Sequence, residues 1–331
     1  MKALFHHAFE VKCENGTYCP TRFTDRQLAA LGALNPSFGN FGRCSAGVSL
    51  VFDTDAAEIS FAYRYTPLYT RVAGFDIYEN GVMCKNIKLP EDALTDTFTY
   101  VKENAGETRI EIFLPHNAEM VLWDFNLGNY RVVAPPQGKK ILWYGDSITQ
   151  SAYIHTPSLS YVDVASRALG ADYLNRGIGS LFYDASVLDA DDPVKPDIIV
   201  VELGANDMVK HDGGKVVTAD GVVQFSDAED VPMLIGNARA YLEKLKKIYP
   251  AAKIFVQSLF YASNAKTPGR IAAQNDYVIA LEQLVGELGL TYIDALQQTP
   301  HIPEVHAADG VHLNALGSAY AARGFERILA E

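Results

Sequence analysis

The sequence predicts an α/β fold in two parts: an all-β, jelly-roll-like sandwich over residues 1–135, then a three-layer α/β domain with a parallel sheet over residues 136–331. Three observations carry this. Between about residues 45 and 127 apolar and polar residues alternate, the period of strands with one buried face. Beyond residue 140 short apolar runs alternate with longer stretches of helical spacing, as in a parallel sheet with crossover helices. Between the two patterns, residues 131–140 carry two prolines and a glycine, which leave one sheet without continuing it.

The sandwich strands are expected at 48–53, 58–63 and 108–114, with a hairpin joining 75–78 to 82–84 through Asn80-Gly81. Asn-Gly suits the two positive φ angles of a tight hairpin turn. In the second part, strands are expected at 141–144, 171–174, 197–201, 253–256 and 290–293, and helices at 158–169, 228–248, 270–288 and 315–330. Tyr249-Pro250 gives the second of these helices a natural stop.

Composition narrows the function. Forty acidic against twenty-eight basic residues give a formal charge of −12, with no long Lys/Arg run, so nucleic-acid binding is disfavoured. No apolar run approaches the length of a membrane helix, and the first ten residues develop no secretory h-region; a cytoplasmic setting is expected. Cys13, Cys19, Cys44 and Cys84 lack zinc-site spacing and read as reduced thiols, with a Cys13–Cys19 bridge as the alternative.

In such a sheet, ligands bind at the loops that leave the carboxyl ends of the strands. Gly145-Asp146-Ser147-Ile148-Thr149 follows the strand at 141–144 and brings a serine to the mouth. Asp309-Gly-Val-His312 lies near the C-terminus; the carboxylate stands three positions before the imidazole, so one loop can let Asp309 orient the ring while Nε2 faces outward. Asn175-Arg176-Gly177-Ile178-Gly179 and Gly204-Ala205-Asn206-Asp207 follow two more strands and can supply N–H donors to an oxyanion. Gly, Asn and Asp are also ordinary turn residues, so each block alone is ambiguous.

Together and in this order, the four blocks resemble the SGNH-hydrolase superfamily, also called the GDSL esterases and lipases, over residues 141–331. The resemblance implies a flavodoxin-like fold and a triad of Ser147, His312 and Asp309. It also implies an oxyanion hole from the Ser147 and Gly179 amides and the Asn206 side chain, with Gly177 the alternative to Gly179. The preceding sandwich resembles the subset containing carbohydrate acetylesterases and an acyltransferase-like branch. The expected activity is therefore hydrolysis of short acyl esters, acetyl in particular, on a small acylated substrate such as an oligosaccharide, with no metal or organic cofactor.

Asp146, Tyr153, Tyr183 and Asp207 are further candidates for substrate contact; Tyr144, Phe182, His155 and Asp184 lie on the same loops, and Glu202 is expected to fix them. Rival readings are an acyltransferase of the same fold and a carbohydrate-binding protein with a silent hydrolase domain. A nucleotide site at Gly177-Ile-Gly179 is weak, because position 182 is phenylalanine where a third glycine belongs. Oligomeric state, a homo-oligomer included, stays open.

Overall fold

The computed structural model describes residues 1–68, 73–212, 215–219, 222–263 and 268–330. Its first part holds strands β1 (Phe5–His6), β2 (Glu10–Glu14) and β3 (Thr17–Thr21), helices α1 (Asp25–Leu34) and α2 (Pro36–Gly42), then β4 (Ser49–Thr54), β5 (Glu58–Pro67), β6 (Phe75–Glu79), β7 (Val82–Ile87), β8 (Thr95–Val101), β9 (Thr108–Phe113), β10 (Ala118–Asn126) and β11 (Tyr130–Val132). The strands form two antiparallel sheets, ordered β1-β4-β9-β6-β7 with β11 beside β4, and β2-β3-β10-β5-β8. Alternation decides which side faces in. On β5, Ile59, Phe61, Tyr63 and Tyr65 are buried while Glu58, Arg64 and Thr66 are exposed.

Phe61 joins the sheets' inner faces, stacking on Phe98 at 4.5 Å between centroids and meeting Phe75 edge-on at 5.9 Å; each such ring contributes about 1.5–3 kcal/mol by leaving water. Asn80 and Gly81 turn the β6–β7 hairpin with φ of 49° and 82°, as the Asn-Gly pair predicts. All four cysteines are free thiols; Cys13 lies opposite Tyr18 across the β2–β3 hairpin and Cys19 opposite Lys12, so the alternative bridge is not formed.

The second part comprises β12 (Lys140–Gly145), α3 (Ser147–Gln150), α4 (Tyr161–Ala168), β13 (Asp172–Gly177), β14 (Ile198–Glu202), the short strands β15 (His211–Asp212), β16 (Lys215–Val216), β17 (Thr218–Ala219) and β18 (Val222–Val223), then α5 (Val231–Ile248), β19 (Lys253–Gln257), α6 (Pro268–Glu287), β20 (Thr291–Ile293) and α7 (Ala315–Leu329). Its main sheet is parallel, ordered β13-β12-β14-β19-β20. This is the flavodoxin-like order, and its switch point lies between β12 and β14. Helices α4 and α7 pack on one face around Trp143, Tyr161 and Phe325; α5 and α6 pack on the other around Tyr241 and Tyr277. No described helix is long and apolar enough to cross a membrane.

Helices α1 and α2 were not foreseen from the sequence. Thr24 and Gln27 form a reciprocal capping box that starts α1, and Asn35 caps α2 ahead of Pro36. Their apolar residues, Leu31 and Phe38, join Leu142, Leu174 and Ile178 in the core of the parallel sheet rather than that of the sandwich. The reason lies in the β13–β14 crossover, which holds a single 3₁₀ turn at Ala185–Val187 in place of a full helix. The N-terminal pair covers that place, tied to the crossover by Thr24 Oγ1 donating to Asp189 at 2.7 Å and by Arg26 pairing with Asp191.

Arg22, fully buried, reinforces the junction. Nε donates to the Cys44 carbonyl at 2.6 Å, Nη1 to those of Asn175 and Gly177 at 2.6 and 3.1 Å, and Nη2 to that of Phe41 at 2.8 Å. A residue next to the sandwich's β3 thereby fixes the end of β13.

Candidate active site

Gly145 ends β12 and Asp146 caps the next turn, its Oδ1 accepting the Ile148 N–H at 2.8 Å. Ser147 therefore opens α3, where its own N–H has no partner within the helix. The end of β13 passes directly beneath this turn: a Cβ on Gly177 would lie 2.3 Å from the Gln150 nitrogen, so only glycine fits there.

The partner loop is set by the start of α7. Asn314 Oδ1 accepts the N–H groups of Leu316 and Gly317, while its Nδ2 donates to the carbonyls of Glu304 and His306. This leaves His312 facing α3, with its Nε2 2.7 Å from Ser147 Oγ and its Nδ1 2.6 Å from Asp309 Oδ2. The other Asp309 oxygen accepts the backbone N–H groups of Val311 and His312 at 3.0 and 3.1 Å. Burial pushes the Asp309 carboxyl upward, but those two amides and the His312 ring outweigh it and hold the group below the ordinary carboxylate range. An ionised carboxylate only accepts, so Nδ1 carries the proton and Nε2 is left to accept from Ser147. Tyr153 stacks on the imidazole at 4.0 Å and 17°, covering one ring face.

Across the mouth, Asn206 follows β14. Its Nδ2 donates to Asp146 Oδ2 at 3.0 Å and to the Leu181 carbonyl at 3.2 Å. The glycine block differs from the sequence expectation. The Gly179 N–H is already given to Gln150 Oε1 at 2.7 Å, and the Gly177 N–H to Asn175 Oδ1 at 2.9 Å. A committed amide offers no hydrogen to a substrate unless its acceptor turns away. The Leu181 N–H is likewise spent on the Ile178 carbonyl. Between them stands Ser180, exposed and left-handed with φ of 62°.

A family model, the GDSL-like lipase/acylhydrolase family, matches residues 143–320. The chain belongs to this family. As a GDSL-like acylhydrolase it is a carboxylic ester hydrolase. No curated protein matches it. Among solved structures it is similar to a putative GDSL-like lipase from Bacteroides ovatus (TM-score 0.74, 19% identity, 100% of this chain and 96% of that one). It is also similar to the salicylyl-acyltransferase SsfX3 of a tetracycline biosynthetic pathway (0.70, 18%, 98% and 93%). A third is a family two carbohydrate esterase from Clostridium thermocellum in complex with cellohexaose (0.63, 14%, 86% and 93%). These identities establish a shared fold.

The acylhydrolase's Ser147, His312 and Asn206 open onto a cleft of about 240 Å³ whose other walls include Ile148, Val209, Phe225, Leu259, Phe260, Arg270 and Gln274. The last five come from segments without any motif and were not foreseen. Two expected substrate contacts are corrected. Tyr183 is 1% exposed and packs on Tyr241 at 5.4 Å between centroids, so its ring is enclosed by core and reaches no cleft. Asp207 turns inward, accepting the Tyr183 N–H at 3.0 Å, and lines a separate cavity beside His211. Asp146 does line the cleft, but its oxygens serve Ile148 and Asn206, which makes it a loop anchor. Tyr144 is buried against Tyr249 and Arg176, Phe182 packs on His211, and Asp184 caps the 3₁₀ turn.

A buried acidic group underlies the site. Burial raises Asp146 to about 6 and lifts Glu202 well above the carboxylate range, the latter helped by Asp146 itself. Thr149 donates to Glu202 at 2.8 Å. Burial likewise pushes Asp207 up to about 7. From about pH 4 to 7 the unfolded chain releases this proton while the native state retains it, so native stability falls as pH rises through that window and levels off above it. Asp207→Asn keeps an acceptor for Tyr183 and removes the titration. Urea unfolding at pH 5 and pH 7.5 is expected to show the variant gaining on the wild type at the higher pH; an equal difference at both would assign the slope to other groups.

Proposed function

We propose that this acylhydrolase removes short acyl groups, acetyl foremost, from carbohydrate hydroxyls through a triad of Ser147, His312 and Asp309. The observation that carries the reading is the continuous Asp309–His312–Ser147 hydrogen-bonded line at the mouth of a small cleft. Ser147 Oγ attacks the acyl carbon as its proton passes to His312 Nε2; the tetrahedral intermediate collapses and the same proton leaves with the sugar alcohol. Water then attacks the acyl-enzyme, gives its proton to Nε2, and the acid departs as Ser147 regains a proton. Asp309 stays ionised throughout and stabilises the imidazolium.

The oxyanion hole is assigned to the Ser147 N–H, the 179–180 loop and the Asn206 side chain, whose Nδ2 keeps its bond to Asp146 and must give up the longer one to the Leu181 carbonyl to reach the substrate. Within that loop the Ser180 N–H is taken as the donor, because those of Gly179 and Leu181 are held by Gln150 and Ile178. Asn206→Ala is expected to lower kcat by roughly 10² to 10³, the usual cost of one oxyanion donor. A change confined to KM would reduce Asn206 to a binding group.

The carbohydrate part rests on the fold shared with a carbohydrate esterase whose structure holds cellohexaose. An acyltransferase reading is supported by likeness to SsfX3 over nearly the whole chain. Four unbridged cysteines favour a reducing compartment such as the cytoplasm. An acyl-length series of nitrophenyl esters, followed by acetylated xylo-, manno- and pectic oligosaccharides, tests the proposal. Acetyl is expected to lead; preference for chains of eight or more carbons would reject it. Adding an acceptor sugar separates the alternatives, since a transferase diverts the acyl group from water.

A further inference from the structure

Arg270 lies in the first turn of α6 and lines the same cleft as Ser147 and His312. Its guanidinium carbon stands 3.8 Å from the centroid of the Phe225 ring, a cation–π contact that engages the ring face and none of the N–H donors. Nε is buried and has no hydrogen-bond partner. Burial draws the group below the usual guanidinium range, and no carboxylate among the described residues opposes it.

The more buried arginines face protein acceptors, although Arg176 Nη2, like Arg270 Nε, has no partner of its own. Arg22 holds four backbone carbonyls, Arg167 those of Asp163 and Ser158, and Arg176 pairs with Asp192. The chain has forty acidic residues and a charge of −12, yet none of the described ones is placed beside Arg270. The position also runs against the helix dipole, which favours acidic residues in a first turn. A half-buried cation held against local preference, in a cleft, with an unspent buried donor, is a setting in which a charged ligand group is recognised. Gln274, one turn along α6, lines the same cleft and can donate to a second oxygen.

We infer that Arg270 is a specificity-determining residue that binds a carboxylate of the substrate, so that the preferred ester carries a free carboxylate near the scissile bond. This rests on the esterase reading above. The carboxylate can belong to the alcohol, as in an acetylated uronic acid, or to the acyl group, as in the half-ester of a short dicarboxylic acid. Both present the planar anion that a guanidinium matches.

The test compares kcat/KM for two matched pairs: acetylated oligogalacturonide against its methyl-esterified form, and mono-nitrophenyl succinate against its methyl-capped form. One pair is expected to favour the free carboxylate by about tenfold or more, the usual worth of a charge-assisted hydrogen bond, and that pair names the source. Arg270→Gln should bring the ratio near one and Arg270→Lys should retain part of it. In the wild type the preference should shrink in 0.5 M NaCl, which reads the interaction without any variant. Ratios near one for both pairs, or a ratio that survives Arg270→Gln, overturns the inference. Hydrolysis of nitrophenyl acetate reports separately on the esterase reading. Should that fail, the thermal shift given by monomethyl succinate or methyl galacturonoside to the wild type, and its loss in Arg270→Gln, still decides the carboxylate site; no shift from either rejects it.

Discussion

Ser147→Ala is expected to lower kcat on nitrophenyl acetate by about 10⁶, the loss seen when a serine nucleophile is removed from a triad, while circular dichroism and melting temperature stay close to those of the wild type. The substitution removes one oxygen that touches His312 at 2.7 Å. The turn that carries it is held elsewhere, by the Asp146 cap and the Gln150 N–H donating to the Asp146 carbonyl. His312 keeps its Asp309 partner and is 17% exposed, so water can reach the freed Nε2. Turnover within tenfold of the wild type would remove Ser147 from the chemistry, and a collapsed melting transition would make the loss structural.

The largest effect on stability is expected at Arg22. Replacing it by methionine fills similar volume but strips four buried carbonyls of a charged donor. Each such hydrogen bond contributes about 1.5–3 kcal/mol; removing a desolvated cation offsets part of the loss. A net destabilisation of about 3–5 kcal/mol is the expected balance, read from urea unfolding. Because two of those carbonyls belong to Asn175 and Gly177, kcat should also fall in the protein that stays folded. A stability change below about 1 kcal/mol would show that water or neighbouring donors replace the guanidinium.

Periodicity made most of the fold legible. Strands buried on one face and strands buried on both have different patterns, and β5 and β14 follow theirs closely. Helices α1 and α2 carried local signals, Thr24 with Gln27 and Asn35 with Pro36, but glycines at 32, 39 and 42 interrupt the stretch, and its apolar residues pack in a core formed more than a hundred positions later. The line from Asp309 to Ser147 could be read because one half of it is a four-residue loop and the other a residue at a strand end. What stayed hidden depended on side-chain reach. Nothing local to Gly179 announces that Gln150 holds its amide, or that Tyr183 turns to α5, and Arg270 belongs to no motif.

The dependence of the parallel sheet on α1 and α2 also has a consequence in time. Arg22 is 155 positions ahead of Gly177, so at roughly 5–20 residues per second the ribosome takes about 8–30 s to deliver the second after the first. During that interval Leu31 and Phe38 have been made and the sheet they will cover has not. If the N-terminal sandwich closes first, as domains generally do during synthesis, its flanking helices then have nowhere to dock, and an apolar helical pair waits beside it in water. Expression yield should therefore respond to chaperone supply and growth temperature through this one segment, and an added charge at position 31 or 38 would trade that hazard for a sheet left bare on one side.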